Sequence, residues 1–511
     1  MHWRFRLRFK SLHVLPITLA ALVIALPAGA AKPRIPVLTP DAVTHHSLVL
    51  AGRTLAYTAR AGTITLRNGD DQPTARVFYT AYTLDGGNPS RRAVTFLYNG
   101  GPGSSTIWLR MGSFGPVRVQ TADGQVTGPP PYRLLDNQYS LLDRTDLVFI
   151  DMPGSGFGRI IGAGKPSDFW GVDKDVEAFG QFITRYITQF NRWNSPRFLF
   201  GESYGTTRSS ALAKYLQDQG IGLNGIVLLS SFLNSNIDYN DGAPIGGGDW
   251  AYILYLPTEA ATAWYHHAIS APSLPALISE VENFALTEYL DALAQGASLP
   301  PDRFNDIVAK LHRYTGLSEQ YIRNSNLRIQ YDRFENELLR ESGRTVGRLD
   351  SRFETYVLDR PEVSPDWDAT DAAIDSAFVS SGNYYLRQVL DYKPPVLYRA
   401  EIYDLIYADG QSWDFKHGND VQILNVAPDL AATMTYNPRL KVFSANGYFD
   451  FATPFFATVY VLNHLYLAPA LRQNITYGFY ESGHMVYLHP AALARFHDDL
   501  ERWYARVLAN V

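Results

Sequence analysis

Cysteine is absent from all 511 residues. That excludes a thiol nucleophile, a thiolate metal site, a lipidated N-terminal cysteine and any disulfide, so the core alone must hold the fold. Excess positive charge is also missing: Lys and Arg number 45 against 50 Asp and Glu, a formal charge of −5. Four of the cations (Arg4, Arg6, Arg8 and Lys10) stand at the extreme N-terminus, and loss of residues 1–30 would take the charge to −9. Such a balance argues against nucleic acid or an anionic membrane surface as partner. The apolar run Val14–Leu26 is too short to favour a bilayer span. With the basic stretch before it and Ala28-Gly29-Ala30 after it, the segment reads as a cleavable signal peptide over 1–30. The expectation is a secreted or periplasmic protein with no stable membrane insertion; an uncleaved anchor is the alternative.

What is present is globular in kind: 46% apolar, 13% aromatic and 19% charged residues, enough to bury a sizeable core. No internal repeat is visible. Residues 31–46 are a Pro-rich lead-in. Alternating stretches from Ser47 to Leu66 and over Arg76–Thr83 suggest strands, the latter ending at Asp85-Gly86-Gly87, a hairpin-type turn. Val94–Tyr98, Asp146–Ile150, Phe198–Phe200 and Gly225–Ser230 are continuous apolar runs, as buried parallel strands require. Val172, Val176, Phe179, Ile183 and Ile187 share one helical face between two of them. Strand and helix alternating in this way predict an α/β fold with a mostly parallel central sheet flanked by helices. Residues 47–234 form its first half. Residues 235–395 read as a helical cap insertion, with helical patterns over Ser298–Ile322 and Asp332–Arg344. Residues 396–511 restore the sheet, with strands at Leu440–Ser444 and Ile475–Tyr480 and a closing amphipathic helix over Pro490–Leu508.

The chain is organised around Phe198-Leu-Phe-Gly-Glu-Ser-Tyr-Gly205. An apolar strand, then Gly201-x-Ser203-x-Gly205, then a helix is the context of a nucleophile elbow, which lifts a serine Oγ above the carboxyl edge of a sheet. A Gly-rich turn with a solvent-facing serine is the plainer reading. A serine hydroxyl needs an imidazole to take its proton and a carboxylate to fix that ring. Ser203, Asp450 and His484 follow in that order, each in a loop after a strand. His489, before Pro490, is the second choice as base, and an Asx turn is the structural alternative for Asp450. The oxyanion of acyl transfer needs two backbone N–H donors. Tyr204, next to the nucleophile, supplies one, and the loop Asn99-Gly-Gly-Pro-Gly103 fits the other. That loop lacks the Lys-Ser/Thr ending a phosphate loop requires.

Tyr98-Asn-Gly-Gly-Pro-Gly-Ser-Ser105, Ile150-Asp-Met-Pro-Gly-Ser-Gly-Phe157, Gly201-Glu-Ser-Tyr-Gly205 and Gly483-His-Met485, in this order, resemble the serine carboxypeptidase family, peptidase family S10. The resemblance covers about Arg76–Asn234 and Leu440 to the end, and does not extend to the cap. It implies an α/β-hydrolase fold and acid-favouring removal of C-terminal residues from peptides with a free C-terminus, with no metal or other cofactor. It implies Ser203, Asp450 and His484 as triad, with the Gly101 and Tyr204 amides as oxyanion hole. Asn99, Gly100 and Glu202 would meet the substrate's C-terminal carboxylate, and Met485 would line the leaving-residue pocket.

Chemistry supports the Glu202 role independently. An ionised carboxylate only accepts hydrogen bonds, so Glu202 can grip another carboxylate only when protonated. A partly buried position would raise its pKa and tie activity to acid pH. The chain departs from the family in two places: Ser113 stands where a second acidic residue is usual, and Ser104 where a cysteine is. These departures bear on substrate more than on reaction class. An esterase or acyltransferase using the same triad is the second reading, and an inactive hydrolase scaffold used for binding the third. Side-chain specificity and oligomeric state are not legible.

Overall fold

The computed structural model describes residues 38–237, 248–408, 412–418 and 424–509, so the signal-peptide pattern lies outside the described residues. Nine strands make up the main sheet: β1 (Ala42–Leu50), β2 (Arg53–Arg67), β3 (Pro73–Leu84), β4 (Val94–Tyr98), β5 (Asp146–Ile150), β6 (Arg197–Ser203), β7 (Gly225–Ser231), β8 (Lys441–Gly447) and β9 (Ile475–Tyr480). Their order is β1-β2-β3-β5-β4-β6-β7-β8-β9, with the two-residue strand Arg159–Ile160 beside β3. The first three run antiparallel, and from β5 to β9 every pairing is parallel.

Every residue of β4, β5 and β7 is buried, which is why their sequences are mostly apolar, with Asp146 at the start of β5 paired to Arg192 at 2.7 Å. The alternation of the pleat divides them between two apolar layers. Phe96, Val148, Leu199 and Ile226 face one layer, while Leu97, Phe149, Phe200 and Val227 face the other. The first layer is covered by α2 (Val172–Gln189) and α3 (Tyr204–Asp218), the second by α1 (Ile107–Gly112) and the closing helix. Each such side chain, fully buried, contributes about 1.5–3 kcal/mol.

Three local expectations need correction. Asp85-Gly86-Gly87 does not close a hairpin: β5 lies between β3 and β4, so the turn starts a crossover. Gly is permissive enough for either use, and only sheet order separates them. The first strand begins at Ala42, inside the stretch read as lead-in, because it pairs along its whole length with β2. The helical pattern over Asp332–Arg344 stops at Glu337, and Arg344–Val346 pairs instead with Glu354–Tyr356 as a small hairpin.

Between β7 and β8 the described chain is largely helical, including α4 (Trp250–Tyr265), α5 (Pro301–Thr315) and α6 (Ala369–Tyr384). The chain ends on α7 (Phe455–Asn463), β9 and α8 (Pro490–Leu508). The strand order reverses around β4: β5 lies on one side and β6 on the other. Beyond the carboxyl ends of strands at such a reversal a crevice opens that no connection fills. The loop from Asn99 and the turn at Ser203 both sit there.

Candidate active site

Ser203 ends β6 and precedes α3 with φ +61° and ψ −131°, a conformation that costs a non-glycine residue about 1–3 kcal/mol. The turn closes tightly: a Cβ on Gly201 would collide with the Gly205 carbonyl and stand 2.6 Å from Ser209 Oγ. Only paired glycines let strand and helix pass, and Ser203 is left partly exposed.

Asp450, fully buried after β8, uses all its acceptor capacity. Its Oδ1 accepts the Ala452 and Thr453 amides at 2.8 and 2.9 Å, and its Oδ2 accepts Thr453 Oγ1 at 2.7 Å and His484 Nδ1 at 2.8 Å. A proton fixed on Nδ1 leaves Nε2 as the basic nitrogen. Burial disfavours the imidazolium, but the charge and hydrogen bond of Asp450, with a further pull from Glu202, outweigh it and raise the His484 pKa. Ser230 Oγ, on the neighbouring strand, donates to the His484 carbonyl at 2.7 Å. Sequence reasoning found Asp450 and His484 but not Thr453, whose hydroxyl lies within 3.1 Å of the same Nδ1. His489 goes elsewhere: its Nδ1 meets Asp123 at 2.7 Å.

The Gly-rich loop touches the elbow directly. A Cβ on Gly100 would strike the Tyr204 amide nitrogen and approach the Glu202 carbonyl to 2.8 Å, so the backbone there can only be glycine's. Gly101 is exposed beside it, with φ +110°. Two buried carboxylates hold the loop. Asp151 Oδ1 accepts the Thr106 amide at 2.7 Å, just before α1, and its Oδ2 accepts the Tyr398 hydroxyl at 2.9 Å. Asp175 pairs with Arg208 at 2.6 Å, both wholly buried, and Arg208 Nη1 donates to the Asn99 carbonyl at 2.8 Å. Neither Arg208 nor Asp175 carries a sequence signal beyond being charged on a helix.

Asn99 and Glu202 are buried side by side. Asn99 Oδ1 accepts the Leu109 amide at 3.0 Å, which turns Nδ2 toward Glu202 Oε1 at 2.8 Å. Tyr487 also donates to Oε1, at 3.2 Å. Glu202 Oε2 is buried without a hydrogen-bond partner. Burial raises the Glu202 pKa to about 7, against opposing pulls from His484, Tyr487 and Asn99; the Asp450 charge adds to the rise. Ser113 does not join: it is fully buried and its Oγ donates back to the Leu109 carbonyl at 2.6 Å. Met485, next to His484 in the chain, is buried in the same apolar cluster as Tyr487.

The segment Gly347–Phe353 of the insertion grips both loops. His484 N donates to Leu349 O at 2.6 Å, Phe451 N to Arg348 O at 3.0 Å and Ser351 N to Phe449 O at 2.9 Å. Asp350 accepts Gly483 N at 3.1 Å and pairs with Arg352 at 2.6 Å, and Arg352 reaches on to Asp123 at 2.9 Å. Asp123 in turn holds His489. None of these residues belongs to the motifs that carried the resemblance.

A mostly parallel sheet, a strained serine at a strand-to-helix turn and an Asp–His pair on later loops are the features of an α/β-hydrolase fold. The family model for serine carboxypeptidases matches residues 54–363, so the likeness runs well into the helical insertion, where the sequence motifs had placed none, and the chain belongs to that family. Among solved structures, a prohormone-processing carboxypeptidase from Saccharomyces cerevisiae is similar at 16% identity and TM-score 0.52, over 86% of this chain and 89% of that one. The proline iminopeptidase of Mycobacterium smegmatis matches at 12% identity and TM-score 0.34, over 88% and 99%. Juvenile hormone epoxide hydrolase from Bombyx mori matches at 11% and 0.32, over 88% and 79%. No curated protein matches the sequence. Among the described residues no group of three or more His, Asp or Glu is placed to hold a metal ion, and no helix is long and apolar enough to cross a membrane.

Proposed function

We propose that this chain is an exported serine carboxypeptidase that releases C-terminal residues from peptides through an acyl-serine intermediate and works best in acid. Ser203 Oγ attacks the last peptide carbonyl while His484 Nε2 takes its proton and Asp450 steadies the imidazolium. The Gly101 and Tyr204 amides receive the oxyanion. His484 then protonates the departing amino group, and water, activated by the same ring, cleaves the ester. Export rests on the basic, apolar and small-residue succession of residues 1–30.

The observation that carries the exopeptidase reading is Glu202: a buried carboxyl next to the Asp450–His484 pair, with one oxygen unsatisfied and a pKa near 7. Protonated, it donates from Oε2 to the substrate's terminal carboxylate; ionised, it repels it. Recognition therefore holds below about pH 7 and fades as pH rises through that value. The two groups titrate as a pair. A neutral Glu202 removes an anion facing His484, so the ring can lose its proton at lower pH.

The test is hydrolysis of an N-blocked dipeptide with a free C-terminus, and of its C-terminal amide, from pH 4 to 8. The free acid should be preferred at low pH, and Glu202→Gln should carry that preference upward in pH. The buried, turned-away Ser113 favours a second reading, an esterase or acyltransferase on small molecules. No cleavage of either peptide, with ester turnover abolished by Ser203→Ala, would establish it.

A further inference from the structure

The environment of Glu202 is asymmetric. Oε1 receives two hydrogen bonds, from Asn99 Nδ2 at 2.8 Å and from the Tyr487 hydroxyl at 3.2 Å, while buried Oε2 receives none. An oxygen that accepts two donors cannot also carry the proton without turning it against one of them. The acid form must therefore place its proton on Oε2, the oxygen that has no hydrogen-bond partner in the protein. Asn99 is locked in this orientation by the Leu109 amide. Tyr487 is locked by shape: its ring lies over α1 where residue 112 is glycine, and a Cβ there would come within 2.5 Å of the ring edge.

We propose that Tyr487 is a positioning residue for the substrate's terminal carboxylate, directing the Glu202 proton onto Oε2 and setting the pH at which it is lost. The proposal rests on the carboxylate-binding reading of Glu202. It gives a phenol on the His484 loop the task of a second donor beside Glu202, which Ser113 cannot perform with its hydroxyl spent on Leu109. The titratable and polar groups facing Glu202 are Asn99 from the β4 loop, Asp450 from the β8 loop, and His484 and Tyr487 from the β9 loop. Among them only Tyr487 is a neutral hydroxyl donor that can be removed while its ring stays in place.

The sign follows from the hydrogen bond. Donation from Tyr487 stabilises ionised Glu202, so its loss raises the pKa and keeps the acid protonated to higher pH. The experiment measures kcat/KM for the blocked dipeptide acid relative to its amide, from pH 4 to 9, in the full-length enzyme. Wild type should lose its free-acid preference with a midpoint near 7. Tyr487→Phe should move that midpoint up by about one pH unit, the scale of a lost hydrogen bond to a charged group. 3-Fluorotyrosine at position 487, a stronger donor on the same ring, should move it down and decides the matter if the Phe variant does not fold. Glu202→Gln should remove the midpoint altogether. If Glu202→Gln removes it while both changes at 487 leave it in place, Tyr487 is merely structural and the inference falls. A uniform loss of activity without a shift has the same meaning. If Glu202→Gln leaves the pH dependence intact, the carboxylate reading itself falls, and this proposal with it.

Discussion

Ser203 is the residue on which every assigned step converges, and its strained backbone is kept in place by glycines on both sides. Ser203→Ala should lower kcat by at least ~10⁴-fold while leaving the fold intact, checked by turnover and circular dichroism on the same preparation. The pair beneath the Asn99–Gly103 loop should behave oppositely. Asp175→Asn leaves the Arg208 guanidinium buried without its counter-charge and should cost about 3–5 kcal/mol in urea unfolding. An unchanged unfolding midpoint would show that the pair does not hold the Asn99 carbonyl. The difference between these residues explains what the sequence made legible. Ser203, Asp450 and His484 stand out because the chemistry proposed for them goes with fixed order and local glycine. Arg208, Thr453 and Tyr487 act through side chains that meet only after folding, and nothing beside them in the sequence marks that meeting.

Among the elements, Gly347–Phe353 has the widest reach, since its hydrogen bonds join the Asp450 loop to the His484 loop. An insertion bonded in this way is part of the frame that aims the imidazole. Asp350→Asn weakens the grip on Arg352 and Gly483, and should reduce kcat about ten- to a hundredfold with little change in KM, because misplacing a catalytic group costs rate more than binding. Equal effects on both constants would mean that the segment shapes the substrate cleft. Strands were readable where the pleat buries both faces, as in β4 and β5, and the helix over Val172–Gln189 was readable from its apolar stripe. The crossover at Asp85-Gly86-Gly87 was not, because a turn's residues encode its bend and not the neighbour the next strand will choose.

At the scale of the whole molecule, buried acids and one clamped histidine make stability itself depend on pH. Glu202 has a folded pKa near 7 against an ordinary 4.5, and burial also lifts Glu259 and Glu335 well above that value. As pH rises above 4.5 the unfolded chain ionises these groups first, so folding loses support until their folded pKa values are passed. His417 adds to the trend. Its hydrogen bond to Asp429 is the strongest lift, and with Asp173 at 2.6 Å it overcomes burial to raise the ring to about 9. That stabilisation is full below 6.5 and is lost as pH climbs through 9. Asp123, lowered by His489 and Arg352, and Glu280, lowered by Arg313, oppose the trend, as do His46 and His266, whose pKa values burial lowers. The thermal midpoint should be higher at pH 5 than at pH 8, and Glu259→Gln should flatten the slope; calorimetry across that range checks both. The strand order has one last consequence, in time. Ser203 emerges from the ribosome more than two hundred residues before Asp450 and His484, and β8 must dock on β7, and β9 on β8, before its hydroxyl can meet the base proposed for it. On the proposed mechanism, a chain made N-terminus first stays inert throughout its synthesis and becomes a peptidase only when its final strands arrive.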